Sequence, residues 1–446
     1  MTKETMAPGA RPKQPASGRS DNEKGFVRSA AFKILMAVIA SLAVLLAWGM
    51  RKPAAVSVVP AASLPSDFIW GVSSSAFQSE GGEVNSNWEL HKKPPVDREP
   101  YGTSVDFRHR YREDVALAKQ LGVNTYRIGI NWARVEPQKG KIDAAELAYY
   151  DDLILALKQA GIAPLITLDH FIYPGWVSAQ GAWTNPETTA DFVKYSRMIA
   201  ERYHDDVHLW ITFNETAFYM FFEIDSRQME LGDFMKMRKN LISAHRQAYD
   251  VIHQVDKKAV VTSNIVWVGD HFGSALLRWT TNWMFFDGVK DKCDVIAIDY
   301  YTADLIAAIR AGHHWKWPPQ PAGLYRALKM LKNEFPDKPI LIAEVGMATE
   351  NGQAREDGAK REDVLRDGVY WTQRAKAEGV NVIGYMVWSL TDNYEWGSYT
   401  PRFGLYTVNV RQDPSLTRIP TAAVPAYQEV IRNAGVGADY QPVLPQ

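Results

Sequence analysis

The chain has 446 residues, which is enough for two or three average domains or for one α/β barrel with its loops. Its 50 basic and 51 acidic side chains give a net charge of −1, which argues against nucleic-acid binding because that usually requires a basic face. Cys293 is the single cysteine, so the chain can form neither an intrachain disulfide nor a multi-cysteine metal site. No metal or organic cofactor is expected.

The N-terminus differs in composition from the rest of the chain. Residues 1–29 are rich in Pro, Gly, Ser, Lys and Glu, which predicts a disordered tail. Residues 30–50 are mostly apolar, carry no charge except at Lys33, and approach the roughly 20 residues that span a bilayer. Basic residues precede this run, so the positive-inside rule keeps the N-terminus cytoplasmic. We therefore expect a single-pass signal anchor at 30–50, with the following domain on the extracytoplasmic side.

Two alternatives to the anchor remain. A signal peptide could be cleaved near Ala61-Ala62, although the leading segment is long and the apolar run exceeds a typical signal core. A buried core helix fits less well because the run has no polar face. Residues 51–65 contain three prolines and are interpreted as a linker.

From residue 66 onward, short apolar runs alternate with amphipathic stretches. The predicted strands are 68–72, 125–130, 163–168, 207–213, 259–264, 294–298, 339–343 and 380–390. The predicted helices include 114–122, 147–159, 190–203, 239–255, 324–334 and 362–378. Such alternation indicates a parallel sheet covered by helices, and eight units indicate a single (β/α)8 TIM barrel over 66–440. No Gly-rich phosphate-binding motif follows any strand, so an open nucleotide-binding sheet has no support.

Polar residues follow the predicted strands, where barrel enzymes place their active sites. Glu215 ends the fourth strand and Glu344 the seventh, so the two carboxylates should face each other across the barrel mouth. Each could instead cap the helix that follows its strand, as Asn214 could. The other residues at this rim are Asn131, Asp169, His170, Asn214, Asp299, Tyr300, Tyr301, Trp388, Asp392 and Asn393. Two facing carboxylates are what glycosidic-bond hydrolysis requires.

Several motifs resemble the family 1 glycoside hydrolases, the β-glucosidase family, over about residues 66–410. They are FIWGVSSSAFQSEG at 68–81, YREDVALAKQLGVNTYRIGINWAR at 111–134, TFNE at 212–215, IAEVG at 342–346, WSLTDNYEW at 388–396 and RFG at 402–404. The resemblance implies that Glu215 is the general acid/base and Glu344 the nucleophile of a retaining mechanism. It also implies that Arg127 and Tyr301 support the nucleophile.

The same resemblance implies a set of sugar-binding residues. Asn214 would bind the 2-hydroxyl and Trp388 would form a stacking floor. The full set is Gln78, His170, Asn214, Tyr301, Trp388, Glu395 and Trp396. A carboxylate at Glu395 should repel a 6-phosphate, which argues against phosphorylated sugars. For Trp88, Trp132 and Trp183, core packing is the better interpretation, and a core position is also an alternative for His170.

Four positions depart from the family pattern. Ala343 and Val345 flank Glu344 where threonine and asparagine are usual. Phe171 stands where tryptophan is common, and Asp299 where asparagine is common. The two glutamates are unaffected, but an acidic Asp299 near the site could shift the pH optimum.

The leading hypothesis is a membrane-anchored retaining β-glycosidase acting on glucosides, galactosides or fucosides. The alternative is a transglycosylase that passes a sugar to a lipid or saccharide, as the resemblance to membrane-anchored plant galactolipid:galactolipid galactosyltransferases suggests. A non-catalytic sugar-binding barrel would be expected to lack one glutamate, and both are present. The partners are thus a carbohydrate or glycolipid substrate and a membrane at 30–50, while oligomeric state is left open.

Overall fold

The computed structural model describes residues 56–82, 84–90, 98–225, 229–267 and 279–445. The predicted tail at 1–29 and anchor at 30–50 lie outside these ranges and stay predictions. Within the described ranges, no helix combines the length and apolar character that a bilayer crossing requires.

The central sheet is parallel and forms a barrel. The strands are β1 Ile69–Ser73, β2 Thr125–Gly129, β3 Ala163–Asp169, β4 Leu209–Phe213, β5 Val260–Thr262, β6 Asn264–Val266, β7 Ile296–Tyr300, β8 Ile340–Val345, β9 Thr349–Glu350, β10 Val382–Trp388, β11 Pro401–Arg402, β12 Tyr406–Thr407 and β13 Ile419–Pro420. Nine of them pair in the order β5-β4-β3-β2-β1-β10-β8-β7-β6. Only Ser263 separates β5 from β6, so these two segments fill one position between β4 and β7. The predicted (β/α)8 barrel is confirmed.

Helices surround the barrel or lie in its loops. Those of the described ranges are α1 Ala76–Glu80, α2 Asn87–Leu90, α3 Phe107–Leu121, α4 Trp132–Val135, α5 Ala144–Ala160, α6 Gly175–Ala179, α7 Pro186–Tyr203, α8 Thr216–Asp225, α9 Phe234–Val255, α10 Met284–Phe286, α11 Leu305–Ala311, α12 Pro321–Glu334, α13 Arg361–Ala377 and α14 Ala423–Arg432. Short 3₁₀ segments lie at 182–184, 231–233, 290–292 and 314–316, and a π-helical segment at 279–283.

Capping residues explain why several helices begin earlier than predicted. The Asp143 side chain accepts hydrogen bonds from the backbone amides of Ala145 and Glu146, so α5 begins at Ala144. The same helix ends at Gly161, whose φ of 77° favours glycine. Asn185 likewise caps α7. The caps are polar residues outside the apolar pattern, which is why periodicity alone placed these starts too late.

Two apolar layers hold the barrel. Its interior contains Leu165, Ile211, Ala297, Leu341, Ala343 and Met386. A second, larger layer lies between the strands and the helices. Trp132 and Trp183 are fully buried there and Trp88 is buried in a cluster near the barrel mouth, which confirms core packing for all three. Ala343, one of the four departures, therefore lines the barrel interior.

The described part of the predicted linker lies along α13. The Tyr370 hydroxyl donates to the Val59 carbonyl, and Gln373 Nε2 donates to the Ala62 carbonyl. The C-terminal segment contacts the same helix, because Asp367 accepts hydrogen bonds from Tyr440 and from the backbone amide of Leu444. Residues 56–64 and the segment beyond 440 thus pack on one outer helix of the barrel.

A buried ion pair fixes the segment that follows the last barrel strand. Arg418 donates from Nε and Nη2 to the two carboxylate oxygens of Asp114 at 2.8 and 3.0 Å, and both side chains are buried. Arg418 also donates to the carbonyls of Val105 and Leu416. This guanidinium therefore joins α3 to the chain that leads into α14.

We predict that Arg418→Met lowers the free energy of unfolding by about 3–5 kcal/mol, because it leaves the Asp114 carboxylate buried without its partner. The double variant Asp114→Leu/Arg418→Met should lose clearly less. Urea denaturation measures both. The control is Lys290→Ala, which removes an exposed pair with Asp287 and should change the free energy by less than about 1 kcal/mol. Equal losses in the single and double variants would contradict the prediction.

Candidate active site

The two glutamates singled out in the sequence meet at the carboxyl ends of the barrel strands. Glu344 lies within β8, and Glu215 lies between the end of β4 and the start of α8. Both are buried, with 3% and 7% of their surface exposed. One carboxylate oxygen from each, together with one from Asp299, all lie within 4.8 Å of one another. The structure therefore brings these three carboxyl groups into one cluster.

Arg127 is the cation of this cluster. It lies on β2, is fully buried, and its Nη1 donates to Glu344 Oε1 at 2.5 Å. The Tyr301 hydroxyl donates to the other oxygen, Glu344 Oε2, at 2.6 Å. Both oxygens of Glu344 thus accept a hydrogen bond, from the two residues that the family resemblance names as support for the nucleophile; that role stays a prediction.

Arg127 also orients Asn214. Its Nη2 donates to Asn214 Oδ1 at 2.6 Å, and Asn264 Nδ2 donates to the same oxygen at 2.7 Å. The Arg127 Nε donates to Thr167 Oγ1 at 2.8 Å. The Asn214 oxygen therefore accepts its hydrogen bonds from two barrel residues. A helix-capping side chain would accept them from the backbone amides of α8, and no such bond is present among the described residues.

The electrostatics separate the two glutamates. Burial raises the pKa of Glu215 well above its usual value, and the nearby Glu344 carboxylate raises it further. Burial also raises the pKa of Glu344, but Arg127 and Tyr301 act against that rise. Glu215 is therefore the better proton holder and Glu344 the better anion, which is the division of labour that an acid and a nucleophile need.

Asp299 is the third member of the cluster. It lies on β7, is fully buried, and its Oδ2 accepts a hydrogen bond from Asn264 Nδ2. Burial raises the pKa of Asp299 well above its usual value, with Glu344 and Glu215 adding to the rise. The three oxygens could geometrically ligate an ion, but the Arg127 guanidinium already neutralises Glu344 and would repel a divalent cation.

A second polar group surrounds Glu395. Gln78 Nε2 and Trp388 Nε1 donate to Glu395 Oε2 at 3.2 and 3.3 Å. Gln78 also donates to Asn393 Oδ1. Burial raises the pKa of Glu395 to about 8, which opposes a full negative charge on this group near pH 7. The expected repulsion of a phosphate therefore cannot rest on a full charge at Glu395, and the exclusion of phosphorylated sugars stays a prediction.

Aromatic rings line the same mouth. His170 stacks on Trp388 with centroids 5.6 Å apart, and Trp396 packs against Phe171 at 5.4 Å. His170 Nδ1 is buried and has no hydrogen-bond partner within the described structure. Burial, with Arg127 adding to its effect, lowers the pKa of His170 well below its usual value. A neutral imidazole with an unused nitrogen fits hydroxyl binding better than it fits a satisfied core histidine.

Three residues of this region have a left-handed backbone. The φ values are 64° for Phe171, 34° for Glu215 and 51° for Trp396. A left-handed backbone costs energy in any residue other than glycine, and such strain is concentrated at functional sites. The aromatic packing and buried hydrogen bonds around these residues hold the backbone in place.

Two residues of the cluster were missed in the sequence. Asn264 begins β6 and bonds both Asn214 and Asp299, and Thr167 on β3 orients Arg127. Asn264 ends the predicted strand 259–264 and satisfies the criterion that selected Asn214. No comparable signal marks Thr167, because it lies inside a strand rather than at its end.

A family model described as Glycosyl hydrolase family 1 matches residues 61–268 and 307–436. The chain belongs to glycosyl hydrolase family 1. The family and the enzyme class inferred from the sequence are thus confirmed. Asp299 and Tyr301 lie in the stretch between the two matched segments.

Similar proteins include several glycosidases. "Beta-glucosidase 25" of Oryza sativa subsp. japonica is 28% identical, with 85% of this chain and 96% of the relative covered. A "6-phospho-beta-galactosidase" of Clostridium acetobutylicum is 26% identical over 77% of this chain and 92% of its own length. A solved structure, "Beta-glucosidase from Thermotoga maritima in complex with azafagomine", has a TM-score of 0.72 at 25% identity, covering 84% and 99% of the two chains.

We predict that Tyr301→Phe shifts the acid limb of the pH–rate profile to higher pH, because the Glu344 carboxylate loses one of its two hydrogen bonds. The ionised form is then less stable, so the pKa of Glu344 rises and the active anion forms only at higher pH. The rate constant kcat/KM should fall about 10-fold near neutral pH. Aryl-glycoside hydrolysis measured across pH checks the result. A fall in rate with an unmoved acid limb would contradict it, and Tyr300→Phe is the control.

Proposed function

We propose that this chain is a retaining β-glycosidase in which Glu215 is the acid/base and Glu344 the nucleophile. The observation that carries the proposal is the approach of the two carboxyl groups, since one oxygen of Glu215 lies within 4.8 Å of one oxygen of Glu344. Retaining enzymes place their carboxyl groups about 5–5.5 Å apart, whereas inverting enzymes leave room for a water molecule between the carboxyl group and the sugar.

In the first step, a Glu344 oxygen attacks the anomeric carbon of the sugar and the bond to the leaving oxygen breaks. Glu215 transfers its proton to that oxygen, so the aglycone leaves as a neutral alcohol. The product is a glycosyl ester of Glu344. Because its pKa is raised by burial and by Glu344, Glu215 still holds the proton that this step requires near neutral pH.

In the second step, Glu215 has become a carboxylate and removes a proton from water. The hydroxide oxygen bonds to the anomeric carbon, and the Glu344 carboxylate is released. Two inversions at the same carbon give net retention. The hydrogen bonds from Arg127 and Tyr301 stabilise the departing carboxylate of Glu344.

The surrounding residues bind the sugar. The Asn214 oxygen accepts from Arg127 and Asn264, which leaves its amide group to donate to the 2-hydroxyl. Gln78, His170 and Glu395 supply hydrogen bonds to further hydroxyls, and Trp388 and Trp396 supply flat apolar faces. The β-glucosidase relatives favour a neutral glucoside-type sugar, with galactosides and fucosides to be tested beside it.

We predict opposite consequences for the two glutamates. Glu344→Ala should lose about 10⁵-fold or more of the hydrolysis of every aryl β-glycoside, because no ester can form. Glu215→Ala should lose about 10²–10⁴-fold with poor leaving groups and far less with dinitrophenyl glycosides, because a good leaving group needs no proton. Initial rates on glucoside, galactoside and fucoside substrates measure the loss and identify the preferred sugar.

The anomer of the product formed with added azide then distinguishes the acid/base from the nucleophile. In Glu215→Ala, azide should attack the glycosyl-enzyme from the side of water and give a β-glycosyl azide. In Glu344→Ala, azide should occupy the nucleophile's side and give the α-glycosyl azide. The matched control is Glu223→Gln, a buried glutamate on α8 outside the cluster, which should hydrolyse at close to the wild-type rate. The same anomer from both variants would refute the assignment.

The transglycosylase alternative has the same first step and differs only in what attacks the ester. No contact among the described residues favours a lipid or sugar acceptor over water. Free sugar as the main product, with or without added galactolipid, would leave hydrolysis as the reaction.

We also propose that residues 30–50 anchor the enzyme in a membrane, with the N-terminus cytoplasmic and the barrel on the other side. The support is the charge-free apolar run at 34–50 and the basic residues before it. Residues 51–55 would then be all that separates the anchor from the chain packed on α13.

We predict that the full chain sediments with membranes and resists carbonate extraction, whereas a chain beginning at Pro53 stays in the supernatant. The matched control is the full chain with Leu42→Lys and Leu45→Lys. It should not be retained in membranes, because each charge opposes insertion by about 2.5–3.5 kcal/mol. A mature N-terminus near Ala61, found by mass spectrometry, would instead demonstrate a cleaved signal peptide.

A further inference from the structure

Asp299 has no established part in the reaction, although it lies among the reacting groups. Its Oδ2 accepts a hydrogen bond from Asn264. Its Oδ1 is buried and accepts no hydrogen bond from any described residue. A carboxylate oxygen without a donor, in a fully buried side chain, is costly when it carries charge.

The charge of Asp299 is also uncompensated by direct contacts. The Arg127 guanidinium donates to Glu344, Asn214 and Thr167. Within the described ranges, no Lys, Arg or His side chain forms an ion pair with Asp299. Two further carboxyl groups, Glu215 and Glu344, lie within 4.8 Å. A second or third negative charge here would be opposed by the neighbouring carboxylates and by burial.

We propose that Asp299 is a neutral carboxylic acid whose Oδ1–H donates a hydrogen bond to the Glu215 carboxyl group, making it a positioning residue for the acid/base. The inference rests on the proposed function of Glu215. The protonated oxygen of Asp299 is then a neutral hydrogen-bond donor, as the amide group of an asparagine at this position would be. A buried carboxylic acid held neutral as a hydrogen-bond donor is an attested arrangement in enzymes.

Asp299 keeps its proton throughout the first step, while Glu215 loses one. In the free enzyme, Glu215 and Asp299 each hold one proton and Glu344 holds none. Glu215 gives its proton to the leaving oxygen, while Asp299 keeps its own and donates to the new Glu215 carboxylate. That hydrogen bond becomes charge-assisted and therefore stronger as Glu215 ionises. Asp299 thus makes Glu215 a stronger acid at the moment of bond cleavage.

The directions of the pKa shifts of Asp299 and Glu215 agree with this arrangement. Burial, then Glu344, then Glu215 raise the pKa of Asp299. A hydrogen bond from Asp299 lowers the pKa of Glu215, against the larger effect of burial. The titratable or charged groups that interact with the pair are Glu344 on β8, Arg127 on β2, Tyr301 after β7 and Glu395 after β10.

The test compares two variants of the full-length chain that differ in one hydrogen-bond donor. Asp299→Asn keeps a neutral donor, so kcat/KM should stay within about 3-fold of wild type near neutral pH. Asp299→Leu has a similar shape and no donor. It should lose about 10- to 100-fold with poor leaving groups and little with dinitrophenyl glycosides, because only the former depend on the acid. Asp299→Ala is measured beside it in case the leucine variant does not fold.

The pH profile gives a second readout that a structural role would not move. Without the donor, ionised Glu215 is less stable, so its pKa rises and the alkaline limb of kcat/KM moves up by about one pH unit in Asp299→Leu. Asp299→Asn should leave that limb near its wild-type position. Asp367→Asn, another buried aspartate whose pKa burial raises, lies on α13 and should not move the limb.

The inference is overturned if Asp299→Asn loses as much activity as Asp299→Leu, since a carboxylate charge would then be needed. It is also overturned if neither variant changes the leaving-group dependence. If wild type hydrolyses no glycoside, the proposed function fails, and infrared spectroscopy tests Asp299 separately. Asp299→Asn should remove one protonated-carboxyl band at neutral pH, and an unchanged band would show that Asp299 is ionised.

Discussion

The ion pair between Arg127 and Glu344 is the interaction on which the active site depends. Both groups are buried, and the energy needed to remove them from water is offset by their contact at 2.5 Å together with the hydrogen bonds that each makes to other residues. The same guanidinium orients Asn214 through Nη2. One cation thus holds the Glu344 carboxylate and the Asn214 amide at once. With that cation committed to Glu344, the carboxyl groups of Glu215 and Asp299 are left in a setting that favours their neutral forms.

The barrel makes this arrangement possible because its parallel strands all end at the same rim. Arg127 comes from β2, Asn264 from β6, Asp299 from β7 and Glu344 from β8. β2, β7 and β8 each pair with a strand on both sides and β6 pairs with β7, so the cluster is set by hydrogen-bonded strands. Glu395 and Trp396, to which we assign sugar binding, lie instead in the loop that follows β10.

Much of the fold could be read from the sequence because it depends on local patterns. The eight strands were placed to within a few residues, and Glu215 and Glu344 were found from their positions at strand ends. The fifth strand was predicted as one run, whereas the structure interrupts it at Ser263, whose hydroxyl donates to the Phe213 carbonyl. Helix starts were misplaced where a capping residue, such as Asp143, extends the helix beyond its apolar pattern. Asn264 was overlooked although it ends a predicted strand.

The sequence by itself determined the alternation of strands and helices, the polar rim, the motifs of the family and the apolar segment at 30–50. These are properties of residue type and spacing along the chain. Only the tertiary structure decided which carboxyl groups lie together, which carboxylate the cation holds, and that Glu395 lies where burial raises its pKa to about 8. The physical reason is that pKa depends on burial and on neighbours in space. Arg127 and Glu344 are 217 positions apart in the chain, and no local pattern records that they touch.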